Sequence, residues 1–215
     1  MGILKVEDVA YVRFRAPDLA VMRSFLQDFG LTAVESTDQR LVMRGAGADP
    51  VLHVTELGEP GFAGVAFRAA APADLQRLAE ADGAAIEDLD LPGGGKVVRL
   101  TDPDGHGVEV VSAQAAATPV ATPEPQAWNL SARRQRLRAA KRMSPGPAHV
   151  IRLGHVVLNV ADFRASERWY KDRFGFITSD EIQLSPEFAL GAFLRCDRGE
   201  TPTDHHTLFL VQSPK

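Results

Sequence analysis

LGHVVLNVADFRASERWYKDRFGF, residues 153–176, repeats in modified form a stretch much earlier in the chain, VAYVRFRAPDLAVMRSFLQDFGL, residues 9–31. Each copy opens on a short apolar strand and reaches an aspartate, Asp162 or Asp18, whose side chain suits the start of a helix because it can accept from unpaired backbone N–H groups. An amphipathic helical pattern follows, with a bulky aromatic seven residues on (Trp169, Phe25). Both helices are expected to stop at Phe-Gly, Phe174-Gly175 and Phe29-Gly30, since glycine accepts the left-handed conformation that ends a helix. The later helix reads one residue longer.

Short alternating runs come next: Leu41 to Met43 and Val51 to Val54 in the first copy, Ala192 to Arg195 and Thr207 to Val211 in the last. Alternation of this kind marks antiparallel strands with one buried face. A middle copy starts at Gly64 with the strand VAFRA, continues through a helix from about Pro72 to Ala81 ended by Gly83, and adds strands at Lys96 to Leu100 and Val108 to Val111. The turn Asp102-Pro103-Asp104-Gly105 joins those last two.

The chain therefore reads as three βαβββ modules of an expected four, an α+β fold of mixed and antiparallel curved sheets with flanking helices. Copies one and two form an N-terminal pair over residues 5–112. Residues 113–150 form a linker: AQAAATPVATPEPQ is Ala/Thr/Pro-rich, and SARRQRLRAAKRM carries six positive charges between Arg133 and Arg142, read as a solvated or interface helix. Residues 151–215 form the first module of a second pair. Pro214 stands about where Pro60 stands before copy two, so a fourth module is expected to be missing from this sequence.

Bulk composition fits this reading. Apolar residues make up 45% and charged residues 24%, ordinary for a soluble globular chain. A formal charge of −4 and the lack of aromatics among the basic residues of the linker argue against nucleic acid. No apolar run is long enough to span a membrane. The opening residues carry Lys5, Glu7 and Asp8 and do not read as a signal peptide. The lone Cys196 excludes an internal disulfide framework and fits a reducing, cytoplasmic setting.

The paired modules, DPDGHGVEV (Asp102 to Val110), LGHVVLNVADF (Leu153 to Phe163) and DHHTLFLV (Asp204 to Val211) resemble the vicinal oxygen chelate (glyoxalase/bleomycin resistance/dioxygenase) superfamily. Within it the chain is most similar to type I extradiol ring-cleavage dioxygenases, the relatives of catechol and dihydroxybiphenyl 2,3-dioxygenases. The resemblance implies a cytoplasmic enzyme of aromatic catabolism, expected as a homo-oligomer, that cleaves a catechol-type ring with O₂. It implies Fe(II), or Mn(II) in its place, held by two histidines and a glutamate in the C-terminal pair. Carried over by position, His155 is the first ligand, and the other His and Glu would fall beyond Lys215.

His205 and His206 match a stretch in which the related enzymes keep a proton-handling histidine, work suited to an imidazole's near-neutral pKa. Strand alternation would turn one of them toward the pocket, and His205 is the expected one. By the same period Asn159 and Val157 share a face with His155, so Asn159 is expected to line the substrate pocket. In copy one Tyr11 takes the place of His155, and in copy two Gly64 does; Glu109 alone keeps a carboxylate position. The N-terminal pair is therefore expected to be metal-free, with Glu109 a strand or domain-contact residue, His106 a turn residue and Cys196 a small core residue.

A second reading is a metal-free binding or sequestering protein built on the same cavity, favoured by the two absent ligands. Domain swapping would not supply them, since copies one and two lack the pair, and glyoxalase-type isomerisation needs ligands those copies do not offer. A third module without its partner is expected to leave a sheet edge and a concave face exposed, to be covered either by a neighbour or by a fourth module outside this sequence.

Overall fold

Asp18 and Asp162 do what their positions suggest. In the computed structural model, which describes residues 2–123, 129–135, 138 and 145–213, the Asp18 carboxylate accepts from the backbone N–H of Ala20 and Val21, and Asp162 accepts from that of Ala165. Gly30, Gly83 and Gly175 close their helices in the left-handed conformation. Of the basic segment, residues 133–135 and 138 are described; the helix expected there lies outside the described residues.

Module one comprises β1 (Val6–Ala16), α1 (Leu19–Phe29), β2 (Thr32–Ser36), β3 (Arg40–Arg44) and β4 (His53–Leu57). Module two comprises β5 (Gly61–Ala69), α2 (Ala73–Asp82), β6 (Ile86–Asp88), β7 (Lys96–Thr101) and β8 (Gly107–Ser112). Module three comprises β9 (Val156–Val160), α3 (Phe163–Phe174), β10 (Ile177–Ser185), β11 (Phe188–Arg195) and β12 (Leu208–Gln212). The fold is mixed α+β, with two curved open sheets and few helices. Helix α3 is one residue longer than α1, 12 against 11. No described helix is long and apolar enough to cross a membrane.

The first sheet runs β2-β3-β4-β1-β5-β8-β7-β6, two four-stranded halves joined by antiparallel pairing of β1 with β5. Val12 faces Val65 at that seam, Tyr11 faces Ala66 and Arg13 faces Gly64, so exchanging the halves puts Tyr11 and Gly64 in equivalent places. The second sheet, β10-β11-β12-β9, has the order of one half alone. Strand β1 lies between β4 and β5, whereas β9 pairs with β12 and, among the described residues, ends the sheet.

Module three packs against the outer face of module two. Phe67 of β5, fully buried, meets the rings of Tyr170, Phe174 and Phe176 at centroid separations of 6.4, 5.7 and 5.4 Å. Burying side chains of this size contributes roughly 1.5–3 kcal/mol each. Polar bonds fix the registry of this apolar contact. The turn between β7 and β8 offers Asp102 and Asp104: Asp102 accepts from the Tyr170 hydroxyl at 3.0 Å, and Asp104 accepts from the backbone N–H of Ala161 at 2.9 Å and the hydroxyl of Ser166 at 3.2 Å. Arg173 of α3 forks onto Asp82 at the end of α2. His106 also reaches Asp102, at 2.9 Å, so its turn role includes bracing the carboxylate on which module three docks.

Candidate functional site

Alternation along β9 turns Val156, Leu158 and Val160 into the core and leaves Val157 and Asn159 exposed on the opposite face. His155, immediately before the strand, is exposed too. Register carries this face across the sheet: Val157 lies opposite Phe209, Phe209 opposite Phe193, and Phe193 opposite Asp180. In the next row Asn159 lies opposite Val211 and Val211 opposite Gly191. The rings of Phe193 and Phe209 stack at 4.2 Å, nearly parallel. The result is an apolar aromatic wall with Asn159 beyond it and imidazoles at one end.

Those imidazoles form a cluster. The ring of His206 packs on that of His155 at 4.4 Å and edge-on against Phe193 at 5.0 Å. His205 bonds to Asp180 through Nε2 at 2.6 Å, and its Nδ1 lies 3.1 Å from Nδ1 of His206. Ser179 secures the loop by donating its hydroxyl to the His205 carbonyl at 2.6 Å. Burial lowers the His206 pKa, and the neighbouring His155 and His205 lower it further, which favours the neutral ring that can take up a proton.

The expectation that His205 is the one turned toward the pocket rests on strand alternation along β12. Both histidines precede β12, in the loop that enters it, so strand alternation does not govern them. It is His206 that lies on His155, while His205 turns to Asp180. Asp180 carries no signal in the sequence: it sits on β10, whose polar residues mark no strand. Asn159 stands on the same face as Val157, as the period of two requires.

The donor set is short for a metal. His155 stands beside His206, but one nitrogen of His206 and both of His205 are committed within the cluster and to Asp180. Among the described residues no three His, Cys, Asp or Glu side chains come together to hold a metal ion. These residues by themselves therefore do not fit Fe(II) or Mn(II), which take several protein ligands at once.

The equivalent place in the N-terminal pair is filled differently. Tyr11, fully buried, donates to Glu109 at 2.5 Å; Arg13 donates to the same carboxylate at 2.8 Å and Arg99 at 3.0 Å. Both Glu109 oxygens are thus engaged, and burial with the adjacent carboxylate pushes the Tyr11 pKa far up. At Gly64 there is no room for a side chain: a Cβ would lie 2.5 Å from the carbonyl oxygen of Gly107 on the neighbouring strand. Cys196 is buried, its Sγ 3.3 Å from the Thr207 hydroxyl, and burial raises its pKa to about 11, the state of a core thiol.

Residues 152–215 match the model of the Glyoxalase/Bleomycin resistance protein/Dioxygenase superfamily, and that segment is a domain of this superfamily. Solved structures similar to the chain include the Mn(II)-bound glyoxalase from Novosphingobium aromaticivorans, 21% identical with a TM-score of 0.74, covering 98% of this chain and 63% of the other. Another is homoprotocatechuate 2,3-dioxygenase from Brevibacterium fuscum in complex with 3,4-dihydroxyphenylacetate, 18% identical with a TM-score of 0.73, covering 99% of this chain and 62% of that one. A third is the 2,3-dioxygenase LapB from Pseudomonas sp. KL28, 19% identical with a TM-score of 0.72, covering 100% and 73%. The chain thus spans less than two thirds of the length of the first two. At these identities the likeness establishes the fold. No curated protein matches the sequence.

Proposed function

We propose that this chain, whose residues 152–215 belong to the glyoxalase/bleomycin resistance/dioxygenase superfamily, is part of an Fe(II)-dependent extradiol dioxygenase that opens a catechol-type ring with O₂. The observation that carries the reading is the make-up of one face: His155 and His206 in ring contact at the end of a wall formed by Phe193, Phe209 and Val157. A planar aromatic substrate fits such a wall, which orients the ring and excludes water from it. His206, whose surroundings favour the neutral form, accepts a proton from a substrate hydroxyl. His155 is one metal ligand, and Asn159 lines the far side of the pocket.

In this reading the remaining histidine and glutamate ligands come from protein outside these 215 residues. Fe(II) is the expected metal and Mn(II) the alternative; the Mn(II) of the Novosphingobium glyoxalase and the dihydroxyphenylacetate of the Brevibacterium enzyme support a metal and a catechol-type substrate in this fold. The domain division that goes with it is a pair of modules at 5–112, a linker at 113–150 and the first catalytic-type module from 151. The enzyme is assigned to the cytoplasm as a homo-oligomer, a reducing compartment being supported by the lone, buried Cys196.

Intact mass and metal analysis of the protein purified from its source test this directly. A mass above 23.3 kDa by on the order of 10 kDa, about one further module, with one iron per chain, supports it. His155→Ala should then abolish both iron and catechol cleavage. A mass of 23.3 kDa without metal overturns it in favour of a metal-free binding protein. That second reading has its own observation: among the described residues no three His, Cys, Asp or Glu side chains come together on this open face to hold a metal ion.

A further inference from the structure

We propose that Asp180 is a positioning residue that fixes which nitrogen of His206 is free to take a proton. The argument follows the hydrogens. Asp180 Oδ2 lies 2.6 Å from His205 Nε2, and an ionised carboxylate only accepts, so His205 carries its hydrogen on Nε2. When His205 is neutral, as under the conditions of the test below, it has one N–H, which leaves its Nδ1 as an acceptor. Nδ1 of His206 is 3.1 Å from it and must supply the hydrogen. His206 is thereby held as the Nδ1–H tautomer, with Nε2 the bare, basic nitrogen.

The backbone supports this chain of bonds at its far end. Ser179, next to Asp180, donates to the His205 carbonyl, and Arg195 of β11 donates to the Ser179 hydroxyl at 3.0 Å and to the Thr178 carbonyl at 3.1 Å. The loop holding both histidines is therefore clamped to the stretch of β10 that presents the carboxylate. Asp180 also stands in the row of Phe193 and Phe209, so its carboxylate and the aromatic wall belong to one face. The importance of the tautomer for catalysis rests on the proposed role of His206; the tautomer itself does not.

The test is side-chain ¹⁵N NMR of the histidine-labelled, metal-free chain at about pH 9, where imidazoles are neutral. His206 should show a pyrrole-type Nδ1 and a pyridine-type Nε2, and His205 the reverse. Asp180→Ala should turn the single His206 tautomer into a mixture, and Asp180→Glu should restore it. The Asp180 side chain is two-thirds exposed, so neither change disturbs the core. A wild-type His206 carrying its hydrogen on Nε2, or one unaltered by Asp180→Ala, overturns the proposal. A failed ring-cleavage assay would leave these shifts as measured, and wrong shifts would leave the ring-cleavage reading intact.

Discussion

The hydroxyl of Tyr170 donates to Oδ2 of Asp102 over 3.0 Å, joining the helix of the third module to a turn of the second. Asp102 has no exposed side-chain surface, and its two oxygens serve four donors: Tyr170, the His106 ring, and the backbone N–H of Asp104 and His106. The DPDG turn thus shapes its own hairpin and forms part of the contact between the two sheets.

Replacing Tyr170 by Phe removes one donor from a buried carboxylate and leaves the aromatic packing in place. The cost is expected at about 1–3 kcal/mol, the usual penalty for a buried polar group that loses a partner. Urea denaturation midpoints measure it. Asp102→Ala, which strips all four donors, should cost more than Tyr170→Phe, and equal costs would show that the interdomain bond is the only one that matters.

Alkaline pH should expose the same interface. The chain has two tyrosines, Tyr11 and Tyr170, and burial first, then the charge of Glu109 or Asp102, raises the pKa of each above the ordinary 10.0. A raised folded-state pKa leaves stability whole below the unfolded value and erodes it as pH climbs above, because the unfolded chain then releases protons that the folded chain keeps. Stability should therefore hold up to about pH 10 and decline beyond it. Tyrosinate absorbance should appear only with unfolding; a normal titration near pH 10 in the folded protein would contradict the burial of both hydroxyls.

His53 sets the acid side. Burial lowers its pKa from 6.5 to about 4, under a ring of Phe14 stacked at 5.2 Å. Because the unfolded imidazole protonates first, this contribution is present above pH 6.5 and is lost as pH falls toward 4. In His53→Leu the slope of stability against pH across that window should flatten relative to wild type.

Helix ends were the most legible part of the sequence. Asp18, Asp162, Gly30 and Gly175 act through neighbouring backbone groups, so their chemistry is local and their spacing reveals the repeat. The outer strands β2, β6 and β10 leave no comparable mark in the sequence. Their residues are mostly exposed, with no fully buried position among them, so no apolar alternation marks them. Asp180, on β10, is hidden in the sequence for the same reason. His155, His206 and Asn159 were legible as candidates, but the choice between His205 and His206 was not, because the loop entering β12 obeys contacts to β10 that no period encodes. The place of the DPDG turn in the interdomain contact was equally hidden, since it depends on a helix some sixty residues away, Asp102 to Tyr170 being 68 residues apart.

Gly64 limits what chemistry the N-terminal sheet can be given. Its position is equivalent to Tyr11 across the seam, and so to His155 in the third module. Yet the backbone of Gly107 stands where any side chain at residue 64 would begin. A histidine at residue 11 would stand among arginines, and residue 64 could not contribute a second without prising β5 from β8. With main chain standing there, no single substitution at residue 64 can place a side chain on that spot while β5 and β8 stay paired.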